Sequence, residues 1–318
     1  GPDMADSTRR DFLKTSALVG GGLLTADFTA LVRTALAADP LPAMSIARWD
    51  EAKLAGADLV AAAVSLTEAA IASLGGMDRF VNKGETVWIK PNIGWNRRPE
   101  LAANTNPDVV GTLVRLCLAA GAKNVKVGDH PCHPARQAYR NSGIAKAVEA
   151  AGGKMVYLDE KRFVDTDLGG EFLKDWPVYL EVAEADLVIN VPILKHHGLT
   201  RCSMAMKNYM GVIGGNRSAW HQNMEACLTD ITRYMKPRVT VLDAVRVLTD
   251  HGPQGGDPDD VEVRGIVAAS TDIVALDAYG ATLLGHAPED IDHVAGAARR
   301  VLGTLDFASL EPVEKTLL

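Results

Sequence analysis

Glu85-Thr86-Val87-Trp88-Ile89-Lys90-Pro91-Asn92 is a short β-rich run that ends abruptly on polar residues. Downstream, Pro107 to Ala120 carries a helical apolar pattern, with proline in its first turn and Gly121 at its end. That is the punctuation of a helix start and stop. Val125-Lys126-Val127 then returns to strand and delivers Gly128-Asp129-His130. Strand, crossover helix and strand in this order describe two parallel neighbours in one sheet.

The same alternation continues outward. A helical pattern at 66–73 precedes the unit, and another at 142–150 leads to a strand at Lys154–Leu158. Further strands read at Asp186–Asn190, Arg238–Leu242 and Gly265–Ala269, with helices at 222–234, Asp272–Leu284 and 288–302. Apolar strands without strict alternation, separated by helices, predict an α/β fold: a mostly parallel open sheet with helices on both faces. The length allows one domain or at most two lobes. Residues 161–182 lack a period and read as an excursion from the sheet. Trp95–Asn106 and Lys195–Trp220 read as long polar loops punctuated by glycine, and loops of that length are more often functional than idle.

The N-terminus sets an expectation about location. Gly1-Pro2 resembles a tag scar, and Ser7-Thr8-Arg9-Arg10-Asp11-Phe12-Leu13-Lys14 matches the twin-arginine export consensus. Apolar stretches and Ala35-Leu36-Ala37 follow, so residues 1–37 read as a cleaved signal and the mature protein as periplasmic. The expected layout is then a helical lead-in at 38–84, an α/β domain at 85–285 and a C-terminal helical segment at 286–318. The translocase is the expected partner during export. A formal charge of -7 argues against nucleic acid or an anionic membrane as partner, since both reward a basic face. The oligomeric state is not written in the sequence. Cys117, Cys132, Cys202 and Cys227 show no CxxC spacing, which argues against an iron–sulfur cluster.

Polar residues fall at the carboxyl ends of the expected strands, where open α/β sheets bind ligands. Lys90 and Asn92 follow the first strand, Asp129, His130 and His133 the second, and Asn190, Lys195, His196 and His197 the fourth. Asp243 ends the fifth. Of eight histidines, six lie in such loops: His130, His133, His196, His197, His221 and His251. The segment His130-Pro-Cys132-His133 is compact enough to offer two imidazoles, or an imidazole and a thiolate, to a transition metal or zinc. His196, His197, His221 or His251 could complete such a site, with Asp129 or Asp250 as oxygen ligand or supporting partner. Lys90, Lys195 and Lys207 form a second group suited to an anion-binding cleft or to a desolvated lysine base. Ser203 lies near Lys207 and His197 in sequence, but no nucleophile elbow surrounds it. Gly211-Val-Ile-Gly-Gly215 lacks the context of a nucleotide-binding loop.

These loops carry a resemblance. The matching segments are Val87–Asn92, Asn190–Thr200, Ser203–Gly211, Asp230, Asp243, Gly252-Pro253-Gln254-Gly255 and Ala269–Ala278. They span roughly residues 85–285 and resemble the DUF362 family, a group named for its unknown function. The resemblance implies an α/β protein. Many members are fused to ferredoxin-type modules or described as iron–sulfur proteins, but this sequence shows no such module. The family also looks distantly similar in architecture to two-lobed nickel-pincer lactate racemases, which is an analogy of fold and not of function. The segment Asp129–His133 departs from the Gly-rich loop common in relatives.

The reading that gathers these signals is an exported enzyme acting on a small anionic organic substrate, by metal or by lysine/histidine acid–base chemistry. Lys90, Lys195 and Lys207 would hold the anion, and Asn92, Asn190 and Asn208 would hydrogen-bond it. His130, His133 and His197 would bind metal or move protons, and Asp243 and Asp277 would orient the basic residues. The rival is a non-catalytic metal- or ligand-binding protein or a redox partner subunit.

Overall fold

Strand β2 (Thr86–Pro91) buries side chains on both sides, Val87 and Ile89 toward one apolar cluster and Trp88 toward another. This is why its pattern lacks alternation: both faces of the sheet are covered by helices. The structure is a computed structural model and describes residues 40–318. The twin-arginine leader lies outside the described residues.

Eight strands run in one path. These are β12 (Val313–Leu317), β1 (Met44–Trp49), β11 (Val261–Ser270), β10 (Thr240–Leu248), β7 (Leu187–Val191), β2, β3 (Asn124–Val127) and β4 (Lys154–Met155), in that order. From β10 to β4 the neighbours are parallel, whereas β11 runs antiparallel to both β10 and β1. The expected mostly parallel sheet with helices on both faces is therefore the architecture found. Pro42–Leu318 forms one compact unit.

One layer holds α1 (Leu59–Ser73), α2 (Pro107–Ala119) and α4 (Ile144–Ala150), packed on Val87, Ile89 and Val241. The opposite layer holds α5 (Ala205–Asn208), α6 (Met224–Met235), α7 (Ile273–Leu283) and α8 (Asp292–Arg299), packed on Trp88, Leu242 and Ala268. The short α3 (Ala135–Asn141) is separated from α4 by Gly143, whose φ of 77° ends one helix and starts the next. The helix expected at 142–150 is thus found as α4, and α3 is an additional helix before it.

Several local readings needed correction. The lead-in donates a strand, β1, and the C-terminal segment donates the edge strand β12, which pairs with β1 in parallel. Helix α1 begins at Leu59, seven residues before the expected 66, because Asp58 caps it by accepting from the Val60 and Ala61 amides. The expected strand at 154–158 contracts to Lys154–Met155. Residues 161–182 contain an antiparallel pair, β5 (Phe163–Asp167) with β6 (Asp175–Tyr179), standing off the main sheet as expected of an excursion. The stretch Lys195–Trp220 is not a plain loop: β8 (Ile193–His197) turns into β9 (Arg201–Ser203) and then α5. No helix among the described residues is long and apolar enough to cross a membrane.

Candidate functional site

In register across the sheet, Lys90 of β2 sits opposite Asn190 of β7, which in turn sits opposite Thr240 of β10. Register thus sets Lys90 and Asn190, near the carboxyl ends of β2 and β7, side by side. A cavity of about 400 Å³ opens there, within the range of small-molecule sites. Its wall includes Lys90, Asn92, Asp129, His130, Cys132, Lys195, His197, Ser203, Lys207, Asn208, Arg217, His221 and the Gly252-Pro253 turn.

The floor is a closed hydrogen-bond network. Lys90, 1% exposed, has Nζ 2.8 Å from Asp129 Oδ1 and donates to Pro91 O at 2.7 Å and Asn208 Oδ1 at 2.9 Å. An ammonium has three protons, and all three are used here. Burial lowers the Lys90 pKa, while the Asp129 carboxylate works in the other direction. Asp129 also accepts from the Ile93 and His130 amides, at 2.6 and 2.9 Å. Asn208 donates through Nδ2 to Lys90 O at 3.1 Å and Asn190 Oδ1 at 2.8 Å. Asn190 donates to Ala205 O at 2.7 Å and does not line the cavity. Lys90, Asn190 and Asn208 are therefore committed to internal partners.

Lys195 differs. It is 1% exposed and has no carboxylate partner; its Nζ donates to Ala103 O at 2.6 Å, Pro253 O at 3.0 Å and Asn92 Oδ1 at 3.3 Å. Burial first, then the charge of Lys207, push its pKa down to about 7. Enclosure likewise lowers Lys207 to about 8, and among the described residues its Nζ meets only Met210 Sδ, at 3.9 Å. The third cation, Arg217, reaches only the carbonyls of His130 (2.8 Å) and Met210 (3.2 Å). Among the described residues none of these three cations has an acidic partner. Arg217 was not anticipated from the sequence; a basic residue just after Gly214-Gly215 in a long polar loop was its only signal.

His197 is buried, and its Nδ1 accepts from the amides of Leu199 (3.1 Å) and Thr200 (3.3 Å). A neutral ring bonded in this way carries its proton on Nε2. Burial, followed by Lys207 and Lys195, holds its pKa down to about 3, so it is neutral across the physiological range. His197 is a hydrogen-bond donor to the cavity rather than a base.

The other histidines are dispersed. His130 Nδ1 lies 2.9 Å from Ile213 O, and its Nε2 lies 2.9 Å from Glu160 Oε1. His133 does not line the cavity; its Nδ1 accepts from the Asn96 amide at 3.0 Å while its ring meets Trp95 edge-on. His196 Nδ1 accepts from the Gly252 amide at 3.1 Å. His221 is exposed, with Nδ1 3.2 Å from Ser218 O. The expected convergence of His130, Cys132 and His133 on one ion is therefore not found, because backbone groups engage each ring separately. Among the described residues one group of donors, Asp250, His251 and Asp260, lies within 4.8 Å of one another, a set consistent with a transition-metal site. His251 Nδ1 is 2.9 Å from Asp260 Oδ2, and that carboxylate raises the His251 pKa. The cysteines do not join in any comparable group: Cys117, Cys202 and Cys227 are buried and Cys132 is exposed, an arrangement inconsistent with an iron–sulfur cluster.

Two buried carboxylates stand behind the wall. Asp243 accepts from the Asn106 amide at 2.7 Å and the Val245 amide at 3.0 Å, fixing the cap of α2; burial raises its pKa to about 6. Asp277 accepts from the Ala205 and Met206 amides at 2.7 and 3.0 Å, fixing the start of α5, and burial raises it to about 7. Neither lines the cavity.

Residues 87–282 match the model of a family described as a domain of unknown function, DUF362. A thylakoid-associated protein of Synechocystis is 32% identical over 236 residues, covering 71% of each chain. The lactate racemase apoprotein of Thermoanaerobacterium thermosaccharolyticum aligns with a TM-score of 0.45 and 13% identity over 73% of this chain. The alignment spans 55% of the racemase, about half its length.

Proposed function

This chain belongs to the DUF362 family, and from its cavity we propose an enzyme that binds a small organic anion and acts on it by lysine-centred acid–base chemistry. The observation that carries this reading is the trio Lys195, Lys207 and Arg217 lining one cavity without an acidic partner. Cations enclosed around one cavity with no opposing charge are stabilised by an anionic ligand. With a pKa near 7, Lys195 can exchange a proton at ordinary pH, while His197 Nε2 and Ser203 supply neutral donors. Proton abstraction next to a carboxylate fits this set, because the cations that hold the carboxylate also stabilise the charge that develops on it.

Titration calorimetry with a panel of small carboxylates and phosphates tests the reading. Lys195→Met and Lys207→Met are each expected to weaken binding by about 10- to 100-fold, the scale of one charge-assisted hydrogen bond. Unchanged affinity in both variants would sink the proposal.

A metal-binding role draws support from Asp250, His251 and Asp260. Here the expected result is zinc or nickel uptake by wild-type protein that His251→Ala abolishes, read by elemental analysis; equal uptake in the variant removes this site. We further propose export by the twin-arginine route. Fractionation of cells expressing an Arg9→Lys, Arg10→Lys precursor should then show the protein retained in the cytoplasm.

A further inference from the structure

We infer that Cys132 is a nucleophile of the same cavity, attacking an electrophilic carbon of a bound small carboxylate. The inference rests on the proposed anion reading of the cavity and adds a covalent step to it. Cys132 is the exposed member of the four cysteines and lines the cavity together with all three unpaired cations. Its turn is pinned from below, because the amides of Cys132 and His133 both donate to Gly94 O, at 2.9 and 3.1 Å.

A second observation points independently to a ligand. His197 is 6% exposed, its Nδ1 is held by two backbone amides, and its Nε2 has no hydrogen-bond partner among the described residues. The residue lines the cavity, so this unpartnered donor on an otherwise buried ring offers an acceptor atom of a ligand a place to bind. The cavity therefore presents a cationic grip, a neutral donor and a thiol, which together suit a carboxylate carrying a reactive carbon.

For an alkene conjugated to the carboxyl group, the step balances as an addition. The thiol proton passes to the Lys195 amine and the sulfur pair forms a C–S bond at the β-carbon. The alkene π pair moves toward the carboxyl group, held by Lys207 and Arg217. The proton then returns from Lys195 to the α-carbon. Nothing is oxidised or reduced.

Charge-selective alkylation tests the inference. Iodoacetate and iodoacetamide both form a C–S bond as the C–I bond breaks and iodide leaves, but only iodoacetate is anionic. Modification is followed on wild-type protein by peptide mass spectrometry, with buried Cys117, Cys202 and Cys227 as internal references. An ordinary exposed thiol shows no preference for the anion. Cys132 is expected to favour iodoacetate by about tenfold or more, the scale on which a cationic cleft concentrates anions. Malonate should protect it, and Lys207→Met should cut the preference several-fold; malonate protection of the wild type decides if that variant does not fold. Equal rates with both reagents, in protein that still binds malonate by calorimetry, would overturn the thiol's role and leave the anion reading standing. Absence of malonate binding together with absence of preference removes both.

Discussion

Replacing Gly211 by alanine is expected to cost about 3–5 kcal/mol of folding stability and to abolish anion binding. A Cβ built at Gly211 would lie 1.7 Å from Asp129 Oδ1 and 2.6 Å from Lys90 Nζ. Neither group can retreat, because Lys90 holds three partners and Asp129 accepts two backbone amides besides. The added methyl group must therefore separate a buried ion pair, leaving each charge without full compensation. Gly94 supplies the control. It also lines the cavity, but a Cβ there meets only Asn92 Oδ1, at 3.6 Å, so Gly94→Ala should stay within about 1 kcal/mol. Urea unfolding of the three proteins reads the comparison, and equal midpoints for Gly211→Ala and wild type would refute it.

Asp277→Ala is expected to destabilise by roughly 3–5 kcal/mol at pH 4, because it leaves the buried Ala205 and Met206 amides without an acceptor. The cost should shrink as pH rises. In the folded protein the Asp277 pKa is raised to about 7, against an ordinary 3.8. A carboxyl group whose folded pKa is raised binds its proton more tightly when folded, so its contribution is fully present below the unfolded value. It is lost as pH climbs through the folded one. The difference between wild type and variant should therefore fall by about 2–4 kcal/mol from pH 4 to pH 8. Asp243 is raised in the same direction but is present in both proteins, so the difference isolates Asp277. A gap that widens toward neutral pH would mean that Asp277 is ionised throughout the folded range.

The sheet centre was legible because β2, α2 and β3 follow one another closely and each carries its own stop signal. Strands β1 and β12 were not legible. Met44 pairs with Ser270 and Ser45 with Val313, partners that no local window can contain. The β8–β9 hairpin was hidden because its polar residues, Lys195, His196 and His197, serve the cavity and the adjoining turn instead of alternating in and out. Within the site, the lysines and Asn92 could be placed on one rim from the strand ends alone. What spacing could not supply was the state of each histidine, since that depends on which backbone group meets which ring nitrogen. His130 and His133 are three residues apart, yet one ring lies against Ile213 O and the other takes the Asn96 amide. Lys90 and Lys195 likewise look alike in sequence, but only Lys90 received a carboxylate.

The ties of Lys195 also bear on how the molecule assembles. One ammonium joins the Ala103 loop, 92 residues away, to the Pro253 turn, 58 residues away. Contacts of such span carry a substantial loop-closure entropy. A ligand that bridges Lys195, Lys207 and Arg217 would accordingly recognise only the completed fold and stabilise it by mass action, in proportion to the logarithm of its concentration.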